Sequence, residues 1–121
     1  MINIHIISTS RADFGIQKEL IKNIKKDKRF KSKFVISGSH LLKNYGYSVN
    51  EILLEKIKID KKIKIKCNAS NTLDTISDIN EINKNYSKFI LENRPDIIMV
   101  FGDRYEMLPF ALTGYLNNIP I

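Results

Sequence analysis

Residues 102–106, with the sequence Gly-Asp-Arg-Tyr-Glu, are the strongest candidate site in the chain. They follow residues 97–101, an apolar run that predicts a buried strand at the centre of a sheet. Ligands of open α/β sheets bind just beyond the carboxyl ends of the strands. We expect Asp103 to stay ionised beside the cation of Arg104, and to orient a sugar or move protons. Arg104 is expected to hold a diphosphate and Glu106 to contribute to binding. Two simpler interpretations stay open, in which Asp103 only caps a helix and Glu106 only complements its dipole.

A second candidate site is the loop after the first predicted strand, Ile2–Ser8. Small residues, including Ser10 and Gly15, let the loop backbone approach a ligand, and the N-terminus of the next helix favours an anion. Arg11 can grip a phosphate with its forked guanidinium, or pair with Asp13. The loop matches neither the dinucleotide-binding glycine pattern nor a Walker lysine pattern. A capped turn with a surface arginine remains the alternative.

A third candidate site follows the strand predicted at residues 34–36 and contains Gly38, Ser39 and His40. Gly38 permits an unusual backbone conformation. His40 can donate to a sugar hydroxyl or phosphate, or titrate near neutral pH, and is a candidate catalytic residue. The alternative is a histidine at a helix start that bonds only to the backbone. His5, in the middle of a strand, is expected to be a satisfied core residue.

Strand and helix patterns alternate along the chain, which predicts a Rossmann-like α/β fold with a parallel sheet and helices on both faces. An apolar stripe of Ile16, Leu20, Ile21 and Ile24 predicts the first helix, and the spacing of Ser48 and Glu51 predicts a capping box for the second. Further elements are an edge strand with alternating lysines at 62–67, a long helix with apolar residues from 73 to 90, a helix at 105–116 with Pro109 in its first turn, and the start of a strand at 118–121.

Composition narrows the classes of function. The chain has 121 residues, 43% of them hydrophobic, and a net charge of +7, which suits one domain. Its lysines are dispersed among Ile and Asn, which argues against nucleic-acid binding and favours a modest attraction for small anions. Its apolar runs are too short for a membrane, and the start lacks signal-peptide features, so the cytoplasm is the expected location. Cys67 is the single cysteine and is expected to be a small buried hydrophobe.

The three candidate sites together closely resemble the hydrolysing UDP-N-acetylglucosamine 2-epimerases of sialic acid and legionaminic acid biosynthesis. The resemblance rests on residues 10–15 (Ser-Arg-Ala-Asp-Phe-Gly), 38–41 (Gly-Ser-His-Leu) with 45–47 (Tyr-Gly-Tyr), and 102–107 (Gly-Asp-Arg-Tyr-Glu-Met). The motifs come in the family's order, each at a strand end, and cover the chain nearly end to end.

The resemblance implies a glycosyltransferase-B architecture of two Rossmann-like domains, of which residues 1–121 form part of the N-terminal one. It implies elimination of UDP across C1 and C2 of the sugar and hydration of the resulting 2-acetamidoglucal. Asp103 matches the family's catalytic acid of this domain, Arg11 and Arg104 match nucleotide or phosphate contacts, and His40 matches a residue of the cleft. No cofactor or metal is implied. The partner is a UDP-linked amino sugar, with UDP-N-acetylglucosamine, UDP-diacetylated bacillosamine and a GDP-linked sugar all open.

Family members continue into further catalytic carboxylates and a second, nucleotide-binding domain. We therefore expect the 121-residue chain alone to be inactive, and the full-length form to be a homo-oligomer, a dimer or tetramer. Two other classes stay open: a glycosyltransferase of the same architecture, and a binding module of the flavodoxin or receiver type. A receiver needs an acidic pair after the first strand, whereas Asp13 stands alone there.

Overall fold

A computed structural model of the chain describes residues 1–67 and 70–121. Its described part contains one four-stranded sheet in the order β3-β2-β1-β4, with every pair of neighbours parallel. This confirms the predicted sheet. The strands are β1 (Ile2–Ser8), β2 (Phe30–Ser37), β3 (Lys61–Ile63) and β4 (Ile97–Met99), and the helices are α1 (Arg11–Lys26), α2 (Val49–Leu54), α3 (Thr72–Glu92) and α4 (Met107–Leu116). Two 3-10 turns, Gly38–Leu41 and Lys43–Tyr45, lie between β2 and α2.

Helices cover both faces of the sheet because successive strand residues point to opposite sides. Ile6 of β1 belongs to a core cluster with Phe14 of α1 and Ile52 of α2. Its neighbour Ile7 belongs to a second cluster with Tyr86 of α3 and Phe110 of α4. The predicted Rossmann-like layering is therefore confirmed.

The predicted central position of the β4 segment was wrong for the described chain. β4 covers Ile97–Met99 and ends the sheet beside β1. On its outer side the Ile98 N–H donates to the Pro120 carbonyl at 2.9 Å, yet residues 118–121 form no strand. Ile98 is buried, whereas Ile97 and Phe101 are 36% and 40% exposed. The hydrophobicity of residues 97–101 correctly indicated that the segment contains a buried residue, Ile98. It carries no information on which strands lie on either side.

Helix α1 was predicted in the right place, but its predicted apolar stripe is only partly buried. Ile21 is buried and Ile24 packs against the core, as expected. Ile16 and Leu20 are 69% and 49% exposed. The residues that face the core include Phe14, Gln17 and Ile21. The NH2 group of buried Gln17 donates to the Asp13 carboxylate at 3.4 Å and to the Ile7 carbonyl at 3.5 Å, which offsets part of the cost of burial, while its Oε1 has no partner among the described residues.

Helix α3 shows the same effect at its N-terminal end. Leu73 and Ile76 are 75% and 47% exposed, although both belong to the predicted apolar stripe. The stripe reaches the core only further along the helix, at Ile82, Tyr86 and Ile90.

The start of α2 was predicted correctly, but not its capping. Ser48 occupies the N-cap position without a side-chain cap hydrogen bond. Its hydroxyl instead lies 2.7 Å from His40 Nδ1, and the Glu51 carboxylate pairs with Arg11. Both residues of the predicted capping box are thus used to join α2 to the candidate site.

Three smaller expectations were confirmed. β3 is an edge strand, although it covers only Lys61–Ile63 and not the whole predicted range of 62–67; the alternation continues past it, with Ile65 and Cys67 buried. His5 is a core residue whose Nδ1 lies 2.9 Å from the Tyr86 hydroxyl. Pro109 falls in the first turn of α4, where its missing N–H costs little.

Candidate functional site

The loops after β1, β2 and β4 meet at the carboxyl edge of the sheet. Gly38 lies between the other two: a Cβ built on it would be 2.5 Å from the Thr9 carbonyl oxygen and 3.4 Å from Glu106 Oε1. Its φ of +67° is also one that side chains other than glycine rarely adopt. The Ser39 N–H and hydroxyl both reach the Thr9 carbonyl, at 3.1 and 3.3 Å. The predicted sites therefore share one edge, as parallel strands require.

The loop between β1 and α1 is organised by a buried carboxylate, Asp13. Its Oδ2 accepts from the backbone N–H groups of Thr9 and Ser10, both at 3.0 Å. The Ser8 hydroxyl donates to Oδ1. Ser10 and Asp13 complete a capping box, in which the Asp13 N–H donates back to the Ser10 hydroxyl at 3.3 Å. Asp13 is 6% exposed, so its role is to hold the loop in shape.

This arrangement changes the expected role of Ser10 and of the helix N-terminus. An anion already occupies the start of α1, namely the Asp13 carboxylate. The Ser10 hydroxyl is committed to the cap and is nearly buried. Gly15 lies further along α1, and a Cβ on it would meet no atom within 4 Å, so space beside it is open.

Arg11 pairs with neither Asp13 nor any other residue of its own loop. Its Nε lies 2.9 Å from Glu51 Oε1 on α2, and both side chains are about half exposed. An added Cβ on Gly46, whose φ is +82°, would approach an Arg11 guanidinium nitrogen to 2.8 Å. The glycine therefore gives Arg11 its space. An ion pair this exposed is worth little, so another anion can displace Glu51 at small cost.

His40 lies below the surface of the edge, fully buried. Its Nε2 is 2.8 Å from the Ser8 hydroxyl oxygen, and its Nδ1 is 2.7 Å from the Ser48 hydroxyl oxygen. Burial lowers the pKa of His40 to about 4, so the ring is neutral at physiological pH. This setting differs from the expected one, because both ring nitrogens already have partners.

The hydrogen bonds also determine the tautomer of His40. The Ser8 hydroxyl uses its one O–H to donate a hydrogen bond to Asp13, so its oxygen accepts from the imidazole. Nε2 therefore carries the ring proton and Nδ1 accepts from Ser48. A continuous buried chain runs from α2 through His40 and Ser8 to Asp13.

Asp103 occupies the exposed tip of the loop between β4 and α4. The preceding Gly102 has a φ of +89°, a turn that suits glycine. In the described part of the chain, no hydrogen bond or ion pair engages the Asp103 carboxylate, and α4 begins four residues later, at Met107. Asp103 is therefore not the cap of α4, which removes the simpler interpretation of this residue.

Arg104 forms its ion pair with Glu106, not with Asp103. An Arg104 guanidinium nitrogen lies 2.7 Å from Glu106 Oε1, and Nε lies 3.2 Å from Oε2. Glu106 is fully buried, while the Arg104 side chain is 48% exposed. The hydrogen bond to Glu106 is the main cause that raises the pKa of Arg104. Glu106 stands at the N-cap position of α4 but makes no side-chain cap bond. Arg104 was expected to pair with Asp103, and this expectation was wrong, because its partner is Glu106.

Cys67, Tyr105 and Asp78 extend this cluster. The Cys67 thiol donates to Glu106 Oε1 at 3.5 Å, and burial is the main cause that raises the pKa of Cys67. The Tyr105 hydroxyl donates to Asp78 Oδ2 at 2.8 Å. Burial first, and then the bond to Asp78, raises the pKa of Tyr105.

Sequence reasoning missed four polar residues of this edge: Ser8, Asp13 as an organising group, Ser48 and Asp78. The spacing of Ser10 and Asp13 was a detectable signal, since it fits a capping box with an acidic residue at the third helical position. The spacing of Ser48 and Glu51 also gave a signal, but for a capping box and not for the contact of Ser48 with His40. Ser8 and Asp78 gave none, because no local pattern marks their contacts with His40 and Tyr105.

The described residues contain no group of three or more His, Cys, Asp or Glu side chains arranged to hold a metal ion. Of their helices, none has both the length and the apolar character needed to cross a membrane.

The parallel sheet, the helices on both faces and the polar cluster at the carboxyl edge define a Rossmann-like α/β domain. The sequence profile of the UDP-N-acetylglucosamine 2-epimerase family matches residues 22–121, so the chain belongs to that family. A GDP/UDP-N,N'-diacetylbacillosamine 2-epimerase (hydrolyzing) from Campylobacter jejuni is 30% identical over 116 residues, covering 96% of this chain and 30% of the relative. A UDP-N,N'-diacetylbacillosamine 2-epimerase (hydrolyzing) from Legionella pneumophila is 26% identical over 115 residues, covering 95% of this chain and 30% of the relative.

Solved structures support the fold. The crystal structure of UDP-GlcNAc 2-epimerase from Neisseria meningitidis bound to UDP-GlcNAc superposes with a TM-score of 0.81 at 18% identity, covering 98% of this chain and 30% of that one. The chain thus spans about 30% of the length of the relatives that it matches.

Proposed function

We propose that this chain belongs to a hydrolysing nucleotide-sugar 2-epimerase, which converts UDP-N-acetylglucosamine or a related UDP-linked N-acetylated amino sugar into the free 2-epimer and UDP. The observation that carries the proposal is Asp103: an exposed carboxylate, without a partner in the described residues, at the carboxyl edge of a sheet in a member of the 2-epimerase family. The two alternative functions are a non-hydrolysing epimerase and a glycosyltransferase.

The proposed reaction has two steps. A base removes the proton from C2 while the bond between C1 and the diphosphate oxygen breaks, which releases UDP and leaves a C1–C2 double bond. Water then adds across that bond, with the proton returning to C2 from the opposite face. Asp103 is the proposed acid or base at this centre, since carboxylates placed at the reacting atom contribute to such transfers.

Arg11 is the proposed contact for the diphosphate. Its partner Glu51 is half exposed, so a diphosphate can replace it with little loss. Arg104 can also point a guanidinium N–H towards the edge, but leaving Glu106 would strand a fully buried carboxylate. We therefore propose that Arg104 contacts the nucleotide sugar while it stays paired with Glu106. Gly38 and Ser39 shape the floor of the site through Thr9.

We also include His40 in the proposed site, as a buried residue that supports the loops from below. Its neutral ring supports Ser8, and through Ser8 the Asp13 carboxylate that shapes the loop of Arg11. This is a positioning role.

Product analysis tests the proposal. The complete gene product that contains this chain is incubated in D2O with UDP-N-acetylglucosamine or UDP-N,N'-diacetylbacillosamine, without an acceptor, and followed by NMR. We expect free UDP and a free 2-epimer that carries deuterium at C2. A UDP-linked epimer as the product would instead assign the non-hydrolysing reaction. Turnover only after addition of an acceptor would assign a glycosyltransferase.

A further inference from the structure

Asp78 lies outside the three sequence motifs, yet its carboxylate accepts three hydrogen bonds on the α3 side of the edge. It is 2% exposed and belongs to α3. Oδ1 accepts from the Lys66 N–H at 3.0 Å, and Oδ2 accepts from the Cys67 N–H at 3.0 Å and the Tyr105 hydroxyl at 2.8 Å. These three donors are neutral, and a carboxylate is kept buried only when such bonds compensate for lost water.

The three donors come from two segments that are far apart in sequence. Lys66 and Cys67 follow β3, and Cys67 has a φ of +52°, which is strained for a residue with a side chain. Tyr105 belongs to the loop between β4 and α4, two residues after Asp103. One side chain therefore joins α3, the β3 exit and the loop that carries Asp103.

The Asp103 loop has a second attachment point at its other side. Glu106 is held by Arg104 and by the Cys67 thiol. Since Cys67 also bonds to Asp78 through its N–H, both attachments share the same short segment. Among the described residues, the Asp103 side chain at the exposed tip has no hydrogen bond or ion pair of its own, so its position depends on these attachments.

We propose that Asp78 is a positioning residue, which fixes the Asp103 loop through the Tyr105 hydroxyl. The proposal rests on the function proposed above. It assigns no contact with substrate to either residue. Its consequence is specific: loss of the link displaces Asp103 from the reacting carbon, while both binding arginines keep their places. Arg11 lies on the other side of the edge, and Arg104 stays paired with Glu106.

Tyr105→Phe is the sharpest variant, because it removes one hydroxyl and leaves both backbone bonds of Asp78 intact. In the complete gene product we expect kcat to fall about 10-fold with KM changed less than about 2-fold, since small displacements of a catalytic group cost rate rather than binding. Tyr115→Phe is the matched control: Tyr115 is 73% exposed on α4, and its variant should behave as wild type.

Asp78→Asn tests the other end of the link. An amide can accept at only one of its two atoms, so either the Lys66 N–H or the Cys67 N–H would face an NH2 group. We expect a loss of kcat at least as large as that of Tyr105→Phe. The double variant should be no worse than Asp78→Asn alone, because both changes remove one shared interaction. Independent of turnover, amide hydrogen exchange at Lys66 and Cys67 should accelerate in Asp78→Asn and stay unchanged in Tyr105→Phe.

A Tyr105→Phe variant with wild-type kcat overturns the proposal, as does a rise in KM with kcat unchanged or a double variant whose losses multiply. If Asp78→Asn does not fold, the Tyr105→Phe result decides alone. A wild-type protein that converts no UDP-sugar refutes the proposed function, and the positioning role with it. Turnover by the wild type together with an unaffected Tyr105→Phe variant refutes the positioning role only.

Discussion

His40 and Ser8 share a buried hydrogen bond of 2.8 Å between Nε2 and the hydroxyl oxygen, and this bond connects two of the three loops at the site. Ser8 ends β1, and His40 lies in the 3-10 turn after β2. Because the Ser8 hydroxyl donates its hydrogen bond to Asp13, the neutral ring of His40 supports the whole loop of Arg11. The histidine therefore matters to the site only in its neutral form.

The first prediction concerns pH. The pKa of His40 is lowered from 6.5 to about 4, chiefly by burial. The coulombic effects of Asp13 and Glu51 oppose the shift, and that of Arg11 adds to it. The unfolded chain therefore binds more protons than the native one between those values, so the free energy of unfolding falls as pH falls from 6.5 towards 4. The loss amounts to about 3 kcal/mol for this residue.

His5, whose pKa is also lowered to about 4 mainly by burial, should contribute a similar loss. Urea unfolding at a series of pH values measures the sum. In a His40→Gln variant the dependence between pH 6.5 and 4 should shrink to about half, the part from His5. An unchanged pH dependence in that variant would show that His40 is not a buried neutral ring.

The second prediction compares two glycines. Gly38→Ala places a Cβ 2.5 Å from the Thr9 carbonyl oxygen at a φ of +67°, and should lower the free energy of unfolding by about 3 kcal/mol. Gly15→Ala, in helix α1 with open space around it, should raise it by roughly 0.5–1 kcal/mol. Chemical denaturation of both variants provides the measurement. Equal effects at the two positions would contradict the packing described around Gly38.

The third prediction concerns the ion pair of Arg104 and Glu106. Arg104→Ala leaves the fully buried Glu106 carboxylate with the Cys67 thiol as its remaining side-chain donor among the described residues. We expect a loss of about 2 kcal/mol, less than for a wholly buried pair because water reaches the Arg104 side. Adding Glu106→Gln should restore part of the loss, since no buried charge then remains unpaired. No recovery in the double variant would mean that Arg104 stabilises by packing alone.

Local patterns predicted what depends on neighbours in sequence. The β-branched run Ile2–Ser8 is a strand with the predicted ends, and Pro109 fits the first turn of α4. Periodicity predicted helix α1 and the burial of Ile21, but not the exposure of Ile16 and Leu20 or the burial of polar residues. Gln17 and Asp13 lie on the buried face, and polar side chains can do so only because they hydrogen-bond to each other and to the backbone. Apolar counting cannot detect such compensation.

Local sequence patterns also could not predict which charged residues pair at the site. Both arginines stand near an aspartate in sequence, yet Arg11 pairs with Glu51 and Arg104 with Glu106. The fold decides these pairs, because Asp13 is turned inward to cap α1 and Asp103 points out at the loop tip. Sequence order did locate the three loops correctly, since carboxyl ends of parallel strands share one edge.

The most direct test of the account is turnover by the complete gene product carrying Asp103→Asn. Asn keeps the size of Asp103 but can neither hold the charge nor transfer the proton, so the rate should fall by about 10²–10⁴-fold. UDP binding, measured by calorimetry, should change little, because the diphosphate contact is assigned to Arg11. Asp96→Asn, at the opposite end of the sheet where Asp96 bonds to Asn3, is the matched control and should keep its activity. Near-normal turnover by Asp103→Asn would contradict the catalytic assignment, and an equal loss of turnover and UDP binding would place Asp103 in the nucleotide site instead.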